Sequence, residues 1–140
     1  METVKVFDQL PNEAIRIRTE VFVLEQGFKE EFDTVDNSCL HFLYFINETP
    51  IGVARVYFSK EHNCYSIGRF AILKEYRRMH KGKLLLEEIE KYMVERYGHI
   101  KIGISSQERA LPFYLSSGYV VVSDMYLDES YPHYWMEKTI

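Results

Sequence analysis

Four basic side chains and one glycine crowd a short stretch of this 140-residue sequence, Tyr76-Arg77-Arg78-Met79-His80-Lys81-Gly82-Lys83. They stand just before the clearest helical pattern in the chain. A helix N-terminus offers unpaired backbone N–H groups and the positive end of its dipole, which together attract anions. Cations at that end oppose the dipole by a few tenths of a kcal/mol each. The crowding makes sense where a polyanion is bound; an ordinary exposed basic turn is the alternative. The stretch lacks Gly-x-x-x-x-Gly-Lys-Ser/Thr, which excludes a nucleotide P-loop.

A second concentration of charge has the opposite sign. Lys29-Glu30-Glu31-Phe32-Asp33-Thr34-Val35-Asp36-Asn37 has no clear period and reads as a loop. Such a run is either a solvated charged face or an attractor for a cationic ligand. Cys39 and Cys64 lie far apart, with no Cys-x-x-Cys and no histidine at ligand spacing. Too few ligands remain for structural zinc, and no metal is expected. The two cysteines read as reduced core thiols of a cytoplasmic protein. No Ser-His-Asp or Cys-His arrangement has a recognisable setting, so covalent nucleophilic catalysis is disfavoured.

Composition narrows the classes further. With 46% hydrophobic residues, 15% aromatics and a net charge of −4, the chain can build a core without staples and lacks the basic surplus of a nucleic-acid binder. The longest apolar run, from Leu40 to Ile46, is far short of the roughly 20 residues that span a bilayer. The opening Met1-Glu2-Thr3-Val4-Lys5 has no secretory pattern. The expectation is one cytoplasmic domain over 1–140, without internal repeat or linker, binding neither nucleic acid nor membrane.

These groups need elements to position them. Period-two and apolar patterns predict strands at 3–7, 41–46, 51–58, 64–73, 101–105, 119–126 and 133–138. Asn12 is a good N-cap for a helix whose stripe is Ile15, Ile17, Val21, Phe22 and Leu24, ending at Gly27. Leu85, Leu86, Ile89, Tyr92 and Met93 define the main helix, ended by Gly98. A shorter helix fits 107–116, with Pro112 as an awkward interior residue. The order predicts a mixed α/β fold with a parallel strand pair wherever a helix crosses over.

The combination of motifs resembles the GNAT superfamily of N-acetyltransferases. A strand Ile67-Gly68-Arg69-Phe70-Ala71-Ile72-Leu73 leads into Arg77-x-x-His80-x-Gly82, similar to the family's Arg/Gln-x-x-Gly-x-Gly/Ala phosphate loop. About 25 residues later comes Gln107-x-x-Ala110-x-x-Phe113-Tyr114-x-x-x-Gly118-Tyr119. The opening, Arg18-x-x-Val21-Phe22-Val23-x-Glu25-Gln26, then Glu31-x-Asp33-x-x-Asp36 and His41, is similar to the small ElaA/YjcF-like branch. The likeness runs over nearly the whole chain.

What the resemblance implies is a central mixed sheet of six or seven strands with flanking helices, and acetyl transfer from acetyl-CoA to an amine by direct attack in a ternary complex. It carries the pyrophosphate cradle to Arg77, Arg78, Met79, His80, Lys81, Gly82 and Lys83. Polarisation of the thioester carbonyl goes to backbone N–H groups of Phe70, Ala71 and Ile72. Gln107 and Phe113 would touch the cofactor. Tyr114 would protonate the leaving thiolate, since a phenol with pKa about 10 keeps its proton at neutral pH. Glu25, Glu31, Asp33, Asp36, His41 and His133 are candidates for the base, and the acidic loop would draw in a cationic acceptor. CoA should enter where the strand ending at Leu73 and the strand at 101–105 splay apart. His80 stands where the family has its first loop glycine, which keeps a second reading open: a CoA-binding or regulatory module without catalysis. A ligand-free protein-interaction domain is a third. Either a monomer or a homodimer is compatible with the sequence.

Overall fold

Strand β2 (Leu40–Ile46) and strand β3 (Thr49–Ser59) are apolar on both faces, because both faces of the sheet they centre are covered. A computed structural model describes residues 1–140. On one face Phe42, Tyr44, Ala54 and Val56 pack with Leu85, Leu86, Ile89 and Met93 of helix α2 (Lys81–Tyr97). On the other, Leu43, Phe45 and Val53 pack with Ala14 and Ile17 of helix α1 (Asn12–Arg18). Gly98, with φ of 80°, ends α2 in the left-handed region.

Strand β1 (Glu2–Phe7), β2, β3 and β4 (Cys64–Ile72) form an antiparallel meander. The crossover through α2 brings β5 (Lys101–Gln107) parallel to β4. Strand β8 (Tyr131–Thr139) then pairs antiparallel with β5. Short β6 (Val120–Val121) and β7 (Tyr126–Asp128) both pair with β8, giving eight strands. The architecture is the expected mixed α/β sheet. It holds one more strand than expected because the stretch 119–126 is split: the backbone N–H of Trp135 donates to Ser123 Oγ at 2.9 Å, where a continuing ladder would supply a carbonyl. No helix is long and apolar enough to cross a membrane. Cys39 and Cys64 are both buried and unpaired.

Three local expectations are corrected. Pro11, not Asn12, is the N-cap of α1, and its carbonyl accepts from Ala14 and Ile15. The apolar stripe holds only in part: Ile17, Val21 and Phe22 are buried, Ile15 is exposed, and from Thr19 the helix widens into a π-helical segment (Thr19–Glu25) whose wider turn shifts the face presented after Phe22. Leu24 is consequently 75% exposed. Finally, Gln107 belongs to β5, and helix α3 (Leu111–Ser116) has Pro112 in its first turn, where the missing N–H has no intrahelical partner to lose.

The acidic segment is the largest departure. It is not a solvated face: Glu31 and Asp36 are both 4% exposed. Arg18, fully buried, donates to Glu31 Oε2 at 2.9 Å and to both Asp36 oxygens at 2.8 and 3.1 Å. Arg55 bridges Asp33 at 2.7 Å and Asp36 at 3.0 Å. Arg69 reaches Glu31 Oε2 at 3.0 Å and Asp33 at 3.4 Å. Three guanidinium groups thus balance three carboxylates, and each buried charge is neutralised by geometry. Such a set contributes little net stability against an apolar replacement, yet removing one partner strands the others.

Arg18→Leu should therefore lower stability by about 3–5 kcal/mol, read as a fall in the urea midpoint at unchanged m. A pH series adds a second check. Burial pushes the Asp36 carboxyl up, but hydrogen bonds from Arg18 and Arg55 outweigh it and hold the pKa at about 2. A lowered folded pKa stabilises above the ordinary carboxylate value and is lost as pH falls through about 4 towards 2. Glu31, raised by burial, works in the opposite sense. Acid loss of stability in that window should shrink in Asp36→Asn.

Candidate functional site

Parallel pairing of β4 with β5 stops after three residue pairs, Tyr65 to Ile67 against Ile102 to Ile104. Beyond it β4 is bulged: Gly68 pairs with Arg55 and Ala71 with Val53, leaving Arg69 and Phe70 opposite Ala54 alone. Arg69 takes φ of 46° to make the bulge. The two strands part there, and two clefts open at the gap.

The first cleft, of about 500 Å³, lies against the start of α2. It is lined by Phe70, Ala71 and Ile72 of β4, by Arg77, Arg78, His80, Lys81, Gly82 and Lys83, and by Phe113 and Tyr114 of α3. The turn into α2 is wound tightly, with Arg78 at φ 63° and His80 at φ 60°. His80 holds, as a non-glycine, the left-handed conformation that glycine adopts without cost. Gly82 sits at a close approach: a Cβ there would lie 3.3 Å from the Phe113 ring, which would have to yield by a few tenths of an ångström. Two expected cations are already committed. Arg77 makes a two-point bond to Glu25 at 2.7 and 2.8 Å and donates to the Ile72 carbonyl at 2.9 Å; Lys81 pairs with Glu2. Arg78 and Lys83 remain without carboxylate partners.

Two residues expected at this cleft are elsewhere. Met79 is half exposed and does not line it. Gln107 lines the second cleft instead, donating to Gln26 Oε1 at 2.9 Å and accepting from Arg109 at 3.1 Å.

The second cleft, of about 850 Å³, is bounded by β4, β5, β8 and the acidic segment. Glu31, Asp33, Arg55, Arg69, Gln107 and His133 all contribute to its wall. Hydrogen bonding from Arg55 holds the Asp33 carboxyl below its ordinary range, while burial raises that of Glu31 against the pull of Arg69 and Arg18. Hydrogen bonding from Arg77 lowers Glu25 in the same way. His41 is not part of the wall. It is fully buried, donates from Nε2 to the Asp36 carbonyl at 3.0 Å, and burial drives its imidazole towards the neutral form. A base must reach the proton it takes, so His41 and buried Asp36, which line neither cleft, lose that role.

Tyr114 belongs to both clefts, together with Phe70 and Ala110. Its ring is wedged among Phe70, Phe113 and Tyr119, with centroids 6.1, 5.0 and 6.0 Å away. Burial alone pushes its phenol upwards, so the proton is held at neutral pH. Asp36, Cys39 and His41 also approach within 4.8 Å of one another. The two guanidinium groups on Asp36 oppose a metal cation there.

Sequence reasoning missed the arginine wall. Arg55 is a charged residue in the middle of an apolar strand, a signal of a paired buried charge. Arg69 and the junction residue Ala110 carried no such signal, since a bulge and a meeting of clefts arise only in three dimensions.

Residues 7–140 match the family model described as an acetyltransferase (GNAT) domain. The chain is 31% identical over 129 residues to "Uncharacterized N-acetyltransferase YjcF" of Bacillus subtilis, covering 90% of each. Its fold matches that of Escherichia coli ElaA with a TM-score of 0.86 at 22% identity, over 99% of both chains. An acyl-CoA N-acyltransferase from Pseudomonas aeruginosa matches with a TM-score of 0.82 at 24% identity, again over 99% of both. With a family match over 7–140, the chain belongs to the GNAT acetyltransferase family.

Proposed function

We propose that the protein, working as one cytoplasmic unit over 1–140, transfers an acetyl group from acetyl-CoA to a primary amine of a small molecule or peptide. Attack is direct, within a ternary complex. The observation that carries this reading is the meeting of two clefts at Phe70, Ala110 and Tyr114. One cleft has a helix N-terminus and two uncommitted cations, which suit a pyrophosphate. The other is wide and polar, and its wall includes Glu30, Asp128 and Glu129, carboxylates outside the arginine set, which suits an amine. A thioester carbonyl at the junction would be shared by both.

In this scheme the first turn of α2 and the side chains of Arg78 and Lys83 hold the diphosphate. Backbone N–H groups of Phe70, Ala71 and Ile72 stabilise the oxyanion as the amine adds. As the C–S bond breaks, Tyr114 donates its proton to sulfur. Arg77 and Lys81 have a different part from that expected: tied to Glu25 and Glu2, they hold the turn in shape. Glu31 and Asp33 are kept in register by arginines rather than free to attract an acceptor. The left-handed backbone of His80 supports a formed cradle, because the turn is reached without the glycine.

Two measurements test this reading. Acetyl-CoA at about 100 times Kd should stabilise the protein by about 2.7 kcal/mol, a rise in Tm of about 5–15 °C at this size. Gly82→Val should abolish most of that rise, because its side chain crowds Phe113 and the cleft together; the unliganded Tm of each variant is the reference. No rise in the wild type at millimolar acetyl-CoA defeats the assignment. Tyr114→Phe should lower kcat by about 10²–10⁴-fold with the acetyl-CoA shift retained. An unchanged kcat, with chemistry rate-limiting, removes Tyr114 from the acid role.

A further inference from the structure

We infer that His133 is the general base that takes the proton from the acceptor amine, a role that rests on the transfer reaction proposed above. Of the candidate bases that line the wide cleft, Glu31 and Asp33 are held by guanidinium groups. Glu31 Oε2 accepts from Arg18 at 2.9 Å and forms an ion pair with Arg69, whose Nε–H donates to the Glu31 carbonyl, so a proton arriving on this carboxylate would cancel its charge against both guanidinium groups. His133 is held differently. Its Nδ1 lies 2.9 Å from the Tyr131 carbonyl, and a carbonyl can only accept, so Nδ1 carries the hydrogen. The lone pair of the neutral ring is thereby placed on Nε2, which no protein group engages.

The contrast with His41 sharpens the assignment. His41 has the opposite tautomer, with Nε2–H donating to Asp36 and Nδ1 sealed in the core without a partner. Its basic nitrogen faces protein, whereas the residue carrying the free Nε2 is in the cleft wall. Packing keeps that ring oriented: Tyr126 of β7 stacks on it with an interplanar angle of 26°. Gln107 of β5 is its register partner and is itself tied to Gln26 and Arg109. Asp128 and Glu129 line the same cleft.

The step balances in protons. An alkylammonium gives one proton to Nε2 of His133, and its lone pair forms the C–N bond. The nitrogen then gives up a second proton as the C–S bond breaks. One of the two finally resides on the CoA thiol, by way of Tyr114, and the other leaves to water from the imidazolium.

The test compares two probe amines at neutral pH: n-butylamine, an ammonium like lysine with pKa about 10.4, and hydroxylamine, a neutral amine there. Both rates are corrected for the uncatalysed reaction with acetyl-CoA. His133→Asn keeps a donor for the Tyr131 carbonyl but removes the base. Its loss of kcat/KM with n-butylamine should exceed its loss with hydroxylamine by about 10²-fold. Equal losses for the two amines, or none with n-butylamine, overturn the base role while leaving transfer intact. A wild-type protein that acetylates neither amine defeats the transfer reading and this inference with it. Independently, long-range ¹H–¹⁵N NMR of the labelled wild type should show His133 as the Nδ1–H tautomer; an Nε2–H form overturns the assignment.

Discussion

The parting of β4 from β5 is the constraint on which the rest of the site depends. Two parallel strands held by three residue pairs cannot stay together once one is bulged, because the bulge removes the register that the next pair would need. Arg69 absorbs the distortion in a left-handed conformation. The gap that follows is where the cleft at the start of α2 and the wide polar cleft touch. Phe70 sits in the bulge and faces both, so the element that opens the sheet also forms part of the junction.

An opened sheet leaves polar groups and charges at the edge of a core, and the arginine–carboxylate set answers that problem. Arg55 comes from β3, Arg69 from the bulge, Arg18 from the end of α1, and their partners from one short connecting segment. None of these groups could be left buried alone, since an unpaired internal charge costs far more than the pair contributes. The set therefore holds the segment 31–36 against the sheet and gives the wide cleft a fixed wall. It also explains why carboxylates that could attract an acceptor amine are instead spoken for.

The same logic of prior commitment distinguishes the histidines and the basic residues before α2. A hydrogen bond made by one imidazole nitrogen decides what the other can do, which separates His133 from His41 despite identical side chains. Arg77 and Lys81 spend their charge on Glu25 and Glu2, bracing the turn, while Arg78 and Lys83 stay uncommitted. Function in this site depends less on which residues are present than on which have a free atom.

Much of this was legible in the sequence, for a physical reason. Periodicity records which face of an element is buried, so the meander, α2 and the order of the motifs could be read from Leu40–Ile46 and from Leu85 to Met93. The basic turn before α2 raised the expectation of an anion site because its composition defies the helix dipole locally. The π-helical widening after Thr19, the split of 119–126 at Ser123, and the burial of Glu31 and Asp36 were not legible. Each depends on a partner distant in the chain or on a change of winding that leaves residue types unaltered. Charge in a sequence has no address: only the tertiary structure decided that the acidic run meets three arginines, that Gln107 turns to the wide cleft, and that Nε2 of His133 remains free. Sequence determined the elements and their chemistry, because those are local; tertiary packing decided which groups are spent on one another, because pairing is not.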